Sequence, residues 1–86
     1  MDLSNLKNIK ILIVEDELLI AQSLSQKLKK LGYDILGVSP SGDLAINLVA
    51  QQKPHLILMD IVIQGRLDGI QAAKEIFKTY NIPVIF

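Results

Sequence analysis

Two short apolar runs in this 86-residue sequence end in carboxylates. Lys10-Ile11-Leu12-Ile13-Val14 runs into Glu15-Asp16-Glu17, and Leu56-Ile57-Leu58-Met59 runs into Asp60. Acidic side chains gathered without imidazole or thiolate favour a hard divalent cation. Oxygen donors suit Mg²⁺ or Mn²⁺ over Zn²⁺, and Mg²⁺ commonly takes one or two carboxylates and fills its shell with water and phosphate oxygens. Asp60 then keeps an oxygen with which to attack a phosphoryl group, so one carboxylate can be both metal ligand and nucleophile. Glu15, Asp16 and Asp60 are the candidate site.

For these three to meet, the two runs must be neighbouring strands. Each run is apolar at consecutive positions, the pattern of a strand covered on both faces of a parallel sheet. Between them the period changes. Ile20, Leu24, Leu28 and Leu31 mark the stripe of an amphipathic helix from Leu18 to Leu31, with Gly32 placed to cap its end. Asp34 to Ser39 predicts a second strand, Pro40-Ser41-Gly42 a loop, and Asp43 to Gln52 a second helix with Leu44, Ala45, Leu48 and Val49 inward. After the strand Leu56 to Met59 come a loop from Ile61 to Asp68 and a helix from Gly69 to Tyr80, with Ile70, Ala73, Ile76 and Phe77 inward. Asp68 is placed to cap that helix, and Ile82 to Phe86 predicts a last strand.

The alternation β-α-β-α-β-α-β calls for a doubly wound α/β sheet with right-handed crossovers. Ligands of such sheets bind beyond the carboxyl ends of the strands, which is where Glu15, Asp16 and Asp60 fall. Adjacent strands lie about 4.8 Å apart, so the carboxylates must converge. Like charges raise one another's pKa, and a divalent cation relieves that conflict.

Taken together, Ile11-Leu12-Ile13-Val14-Glu15-Asp16-Glu17, Leu56-Ile57-Leu58-Met59-Asp60-Ile61, Asp68-Gly69-Ile70 and Ile82-Pro83-Val84-Ile85-Phe86 resemble the receiver domain of bacterial and archaeal response regulators. The resemblance runs from about residue 9 to the last residue, leaving 1–8 as a polar N-terminal extension. It implies a flavodoxin-like receiver fold with sheet order 2-1-3-4 over these strands. It implies that Asp60 accepts phosphate from a histidine kinase or phosphotransfer protein. Asp16 is then a metal ligand, Glu15 reaches the metal mainly through water, and Val62 supplies a backbone carbonyl. Glu15 stands where many relatives have Asp, and both occur in the family.

A complete receiver continues past the fourth strand to a Ser or Thr that senses the phosphoryl group, then to a strand bearing a Lys, and then to a final helix. The sequence stops before these, so it is expected to hold the acceptor without the switch. Such a chain is expected to associate with itself through the edge of the fourth strand or the uncovered sheet face, with Pro83 limiting the edge.

Composition narrows the alternatives. Nine basic and nine acidic side chains give a formal charge of zero, which argues against direct nucleic-acid binding. The absence of cysteine removes disulfides and thiolate metal sites. No stretch resembles a signal peptide or membrane span, and a cytoplasmic location is expected. A Mg²⁺-dependent phosphohydrolase forming an aspartyl-phosphate is a second reading, but Val62 occupies the position where such enzymes usually carry a second acid. The expected role is therefore signalling, with no catalysis beyond self-phosphorylation and dephosphorylation. A third reading is a structural or interaction piece that is never phosphorylated. His55 enters its strand at the end opposite Asp60 and is given no chemistry. Lys27, Lys29 and Lys30 read as a solvated helix face, and Arg66 as a loop residue near the acceptor.

Overall fold

The structure, a computed structural model, describes residues 9–60 and 69–86. Among these residues four parallel strands form one sheet in the order β2-β1-β3-β4: β1 (Lys10–Val14), β2 (Asp34–Ser39), β3 (Leu56–Met59) and β4 (Val84–Ile85). Three helices connect them: α1 (Leu18–Lys30), α2 (Gly42–Gln52) and α3 (Gly69–Tyr80). This is the expected doubly wound arrangement, with β1 and β3 paired in register from Ile11↔Leu56 to Val14↔Met59.

Alternation along the central strands divides the core between two faces. Leu12, Val14, Ile57 and Met59 point to one face and pack with Ala45 and Val49 of α2 and Ala72 and Ile76 of α3. The small side chains Ala45 and Ala72, both fully buried, suit the close packing of α2 against β1, β2 and α3. Ile11 and Ile13 are buried on the opposite side, where α1 packs on β1 and β2 through Ala21. Continuous apolar runs in β1 and β3 are thus explained by helices on both faces.

The helix ends follow local chemistry. Leu31 closes α1, and the Gly32 and Tyr33 amides donate to the Lys29 and Leu28 carbonyls at 3.0 and 3.1 Å, with Gly32 at φ 100°. That bond pair is a Schellman motif, and its left-handed position suits glycine. Ser41, expected in a loop, is the N-cap of α2: its Oγ accepts from the Leu44 amide at 3.3 Å, so the helix begins at Gly42, one residue before the expected start.

Several inward positions differ from those expected. In α1 the buried residue is Ala21, while Ile20 is 49% and Leu31 72% exposed. In α2 Leu44 is exposed, and in α3 Ala72 and Ile76 turn inward while Ile70 and Phe77 face outward. Ala45, Val49 and Ile76 are buried as expected, whereas in α1 and α3 the small Ala21 and Ala72 take buried positions and leave Ile20, Ile70 and Phe77 outside.

The last strand is shorter than expected. Only Val84 and Ile85 pair with β3, opposite Ile57 and Leu58. Pro83 has no amide hydrogen to donate, and its carbonyl accepts from the Ile57 amide at 3.1 Å. Ile82 instead drops into the core beside Ile76 and Ile57. The N-terminal segment 1–8, the Val62 carbonyl, Arg66 and the Asp68 cap lie outside the described residues.

Candidate functional site

The site is built on backbone hydrogen bonds that extend beyond the strands. The Glu15 amide donates to the Ser39 carbonyl at 2.9 Å, and the Asp60 amide donates to the Val14 carbonyl at 3.0 Å. Each acid is therefore held one residue past the end of its strand, side by side at the carboxyl edge of the sheet. Ser39 reaches this position through a register shift between Ile11 and Leu12. There β2 runs from Ile35 to Gly37 while β1 advances a single residue, leaving Leu36 as the extra residue of a bulge. Ser39 itself is fully buried, and its hydroxyl donates to the Ser41 carbonyl at 2.9 Å. That bond ties the end of β2 to the cap of α2.

Glu15, Asp16 and Asp60 each bring a carboxylate oxygen to within 4.8 Å of the other two. The convergence expected from adjacent strand ends is present. The Glu15 carboxyl is held above the usual range, first by burial and then by the negative charges of Asp60 and Asp16, while a bond from the Glu17 amide opposes the shift. Glu15 Oε1 accepts that bond at 3.1 Å, so the side chain also covers an amide at the entry to α1. Glu17 is the N-cap residue of α1 but makes no side-chain cap bond.

The donor set fits Mg²⁺ or Mn²⁺ on chemical grounds: three carboxylates, no nitrogen or sulfur ligand, and a spacing that lets one ion touch more than one oxygen. Beside the acids an apolar groove of about 290 Å³ opens on the α1 side of the sheet, lined by Ile13, Leu24, Leu58 and Ile85, with Glu15 and Asp60 at its rim.

His55 lies at the other end of the sheet, where its Nδ1 accepts from the Lys10 amide at 2.9 Å and its own amide donates to the Lys10 carbonyl at 2.9 Å. It ties the starts of β1 and β3 together, a structural role the sequence reading did not include. Among the described residues, no helix is long and apolar enough to cross a membrane.

Comparison with known proteins gives one answer. The family of the response regulator receiver domain matches residues 11–86. The signal receiver domain of a modulated diguanylate cyclase from Desulfovibrio desulfuricans G20 is 40% identical, with a TM-score of 0.86 over 91% of this chain and 62% of that one. The receiver domain of the PhyR response regulator of Erythrobacter litoralis is 38% identical, with a TM-score of 0.83 over 92% of this chain and 61% of that one. PhyR of Brucella abortus is 34% identical, with a TM-score of 0.84 over 96% of this chain and 35% of that one. The chain spans less than two thirds of the length of each of these three. With the sheet order, the acidic strand ends and the matched residues in agreement, the chain belongs to the response regulator receiver domain family.

Proposed function

We propose that Asp60 accepts a phosphoryl group from the phosphohistidine of a histidine kinase or phosphotransfer protein, with Mg²⁺ held by Asp60 and Asp16 and with Glu15 at the edge of its shell. The single observation that carries this reading is the meeting of three carboxylates within 4.8 Å at the carboxyl edge of β1 and β3. A bound cation would neutralise charge on the transferring group and on the acids themselves.

Asp60 supplies the attacking oxygen. A carboxylate oxygen forms a bond to phosphorus as the bond from phosphorus to the imidazole nitrogen breaks, and that nitrogen leaves with the electron pair. The backbone bond from Asp60 to Val14 fixes where the attacking group starts. Glu15, raised in pKa by burial and by its acidic neighbours, gives up that conflict when a cation binds. Asp16 supplies a further oxygen. The Val62 carbonyl completes the proposed ligand set, although it lies outside the described residues.

A cytoplasmic location accompanies this partner. Self-association through the β4 edge or the open sheet face belongs to the same proposal, and the exposure of Ile85 and Phe86 supports the sheet face. The two-residue length of β4 leaves few groups at the edge for another strand.

Incubating the chain with Mg²⁺ and a small phosphodonor tests the chemistry. The expected result is a phosphate-sized mass gain on the parent chain, absent from Asp60→Asn. A parent chain that gains no such mass, while folded and saturated with Mg²⁺, overturns the proposed transfer.

A further inference from the structure

Ser39 is the one buried polar side chain among the described residues. Packing alone would be served by alanine, and a buried hydroxyl is costly unless it is bonded. Its partner is the Ser41 carbonyl at 2.9 Å, and that oxygen already accepts the Ala45 amide at 3.0 Å in the first turn of α2. A carbonyl has two lone pairs and can take both. The Ser41 oxygen is thus satisfied without the serine hydroxyl, and the extra bond matters for what it fixes at the end of β2.

What it fixes is a turn. The bond closes a ring that contains the Ser39–Pro40 peptide, whose carbonyl receives the Glu15 amide at 2.9 Å. Proline sets one torsion in that ring, and the hydroxyl limits the others. Ser39 is the last residue of β2, so no later strand residue can replace this acceptor. Glu15 needs it because β1 ends at Val14, and Asp16 follows Glu15 directly in the chain. Both acids at the end of β1 therefore hang from the Ser39 carbonyl, whereas Asp60 is held separately through the Val14 carbonyl at 3.0 Å.

We propose that Ser39 is a positioning residue for the acidic site: its hydroxyl, bonded to the Ser41 carbonyl, aims its own carbonyl at the Glu15 amide and so holds Glu15 and Asp16 in reach of Asp60. This role rests on the reading of the three carboxylates as a Mg²⁺ site, and adds to that site an uncharged residue from a third strand. Ser39 touches neither ion nor phosphoryl group and acts through the main chain. Its effect is accordingly smaller than that of a group bonded to a ligand's side chain, whose loss commonly weakens metal binding by about 10–100-fold.

Calorimetric titration of the full chain with Mg²⁺, alongside amide hydrogen exchange and far-UV circular dichroism, tests it. Ser39→Ala should weaken Mg²⁺ binding about fivefold. Exchange of the Glu15 amide should speed up about tenfold, while that of the Asp60 amide stays within about twofold of the parent. Ser39→Cys, of similar size but with a weak donor, should fall between Ser39→Ala and the parent. Ser41→Ala is the control, because it removes the α2 cap but leaves the carbonyl that Ser39 uses. It should lower the denaturant midpoint comparably and leave Mg²⁺ affinity within about twofold of the parent. Equal Mg²⁺ affinity in the parent and in folded Ser39→Ala overturns the positioning role and leaves the metal site standing. Equal weakening by Ser39→Ala and Ser41→Ala also overturns it, since loosening the start of α2 would then suffice. A folded parent that binds no Mg²⁺ overturns the metal site, and this role with it.

Discussion

The Asp60 amide donates to the Val14 carbonyl at 3.0 Å, which fixes the proposed phosphate acceptor to the end of the neighbouring strand through main-chain atoms alone. Asp60 is thereby held beside Glu15, the residue that follows Val14, whatever its side chain does. Replacing the carboxylate by an amide removes charge without removing this anchor.

Asp60→Asn should therefore fold as the parent does and, without Mg²⁺, be more stable by about 0.5–1 kcal/mol, since one of three mutually repelling charges is gone. Urea unfolding with and without Mg²⁺ checks this. The parent should gain more stability from millimolar Mg²⁺ than the variant, and a chelator should erase the gain.

Glu15 gives the metal-free chain a pH dependence of definite sign. Its folded pKa lies above the ordinary 4.5, so between that value and the raised one the folded state binds more protons than the unfolded state. Its contribution to stability must then fall as pH rises through the raised pKa and recover on acidification. Melting temperatures followed from neutral pH downward should show this contribution, and Glu15→Gln should remove it.

The cap of α2 is open to a direct test. Ser41→Ala removes the oxygen that accepts from the Leu44 amide, and should cost about 1 kcal/mol. Ser41→Asp keeps an acceptor at the same place and should recover most of the loss. Denaturant midpoints at unchanged slope would measure both.

Adjacent residues of α3 should respond very differently to truncation. Ile76 is fully buried between α2 and the sheet, so Ile76→Ala should cost about 2–4 kcal/mol, enough to unfold much of a domain of this size. Phe77 is 57% exposed, and Phe77→Ala should cost less than about 1 kcal/mol. Equal losses at the two positions would show that α3 is rotated from the orientation described.

Comparison of these positions shows what the sequence could convey. The strands and the meeting of Glu15, Asp16 and Asp60 were legible because apolar runs ending in acids place those acids at one edge of a parallel sheet, while the sheet order followed from the resemblance to receiver domains. The rotation of α1 and α3 was not, since a periodic stripe of Leu and Ile says which side is apolar but not that Ala21 and Ala72 are fully buried while Ile20, Ile70 and Phe77 are exposed. The bulge at Leu36 depends on how β2 lies against β1, a long-range relation that no local pattern encodes. Ser41 carried a legible signal, a hydroxyl just before an apolar helical stripe, but the flanking Pro40 and Gly42 read more strongly as a loop. The double link between Lys10 and His55 joins residues 45 apart in the chain and had no sequence signature.

The bulge at Leu36 brings the Ser39 carbonyl level with the Glu15 amide, and that bond, like the one at Asp60, is indifferent to the identity of the acidic side chains. Mutational drift can therefore strip this edge of its acids while the frame that presents them persists. A descendant lacking these carboxylates would still fold, and would keep its place in a larger assembly with the same backbone edge.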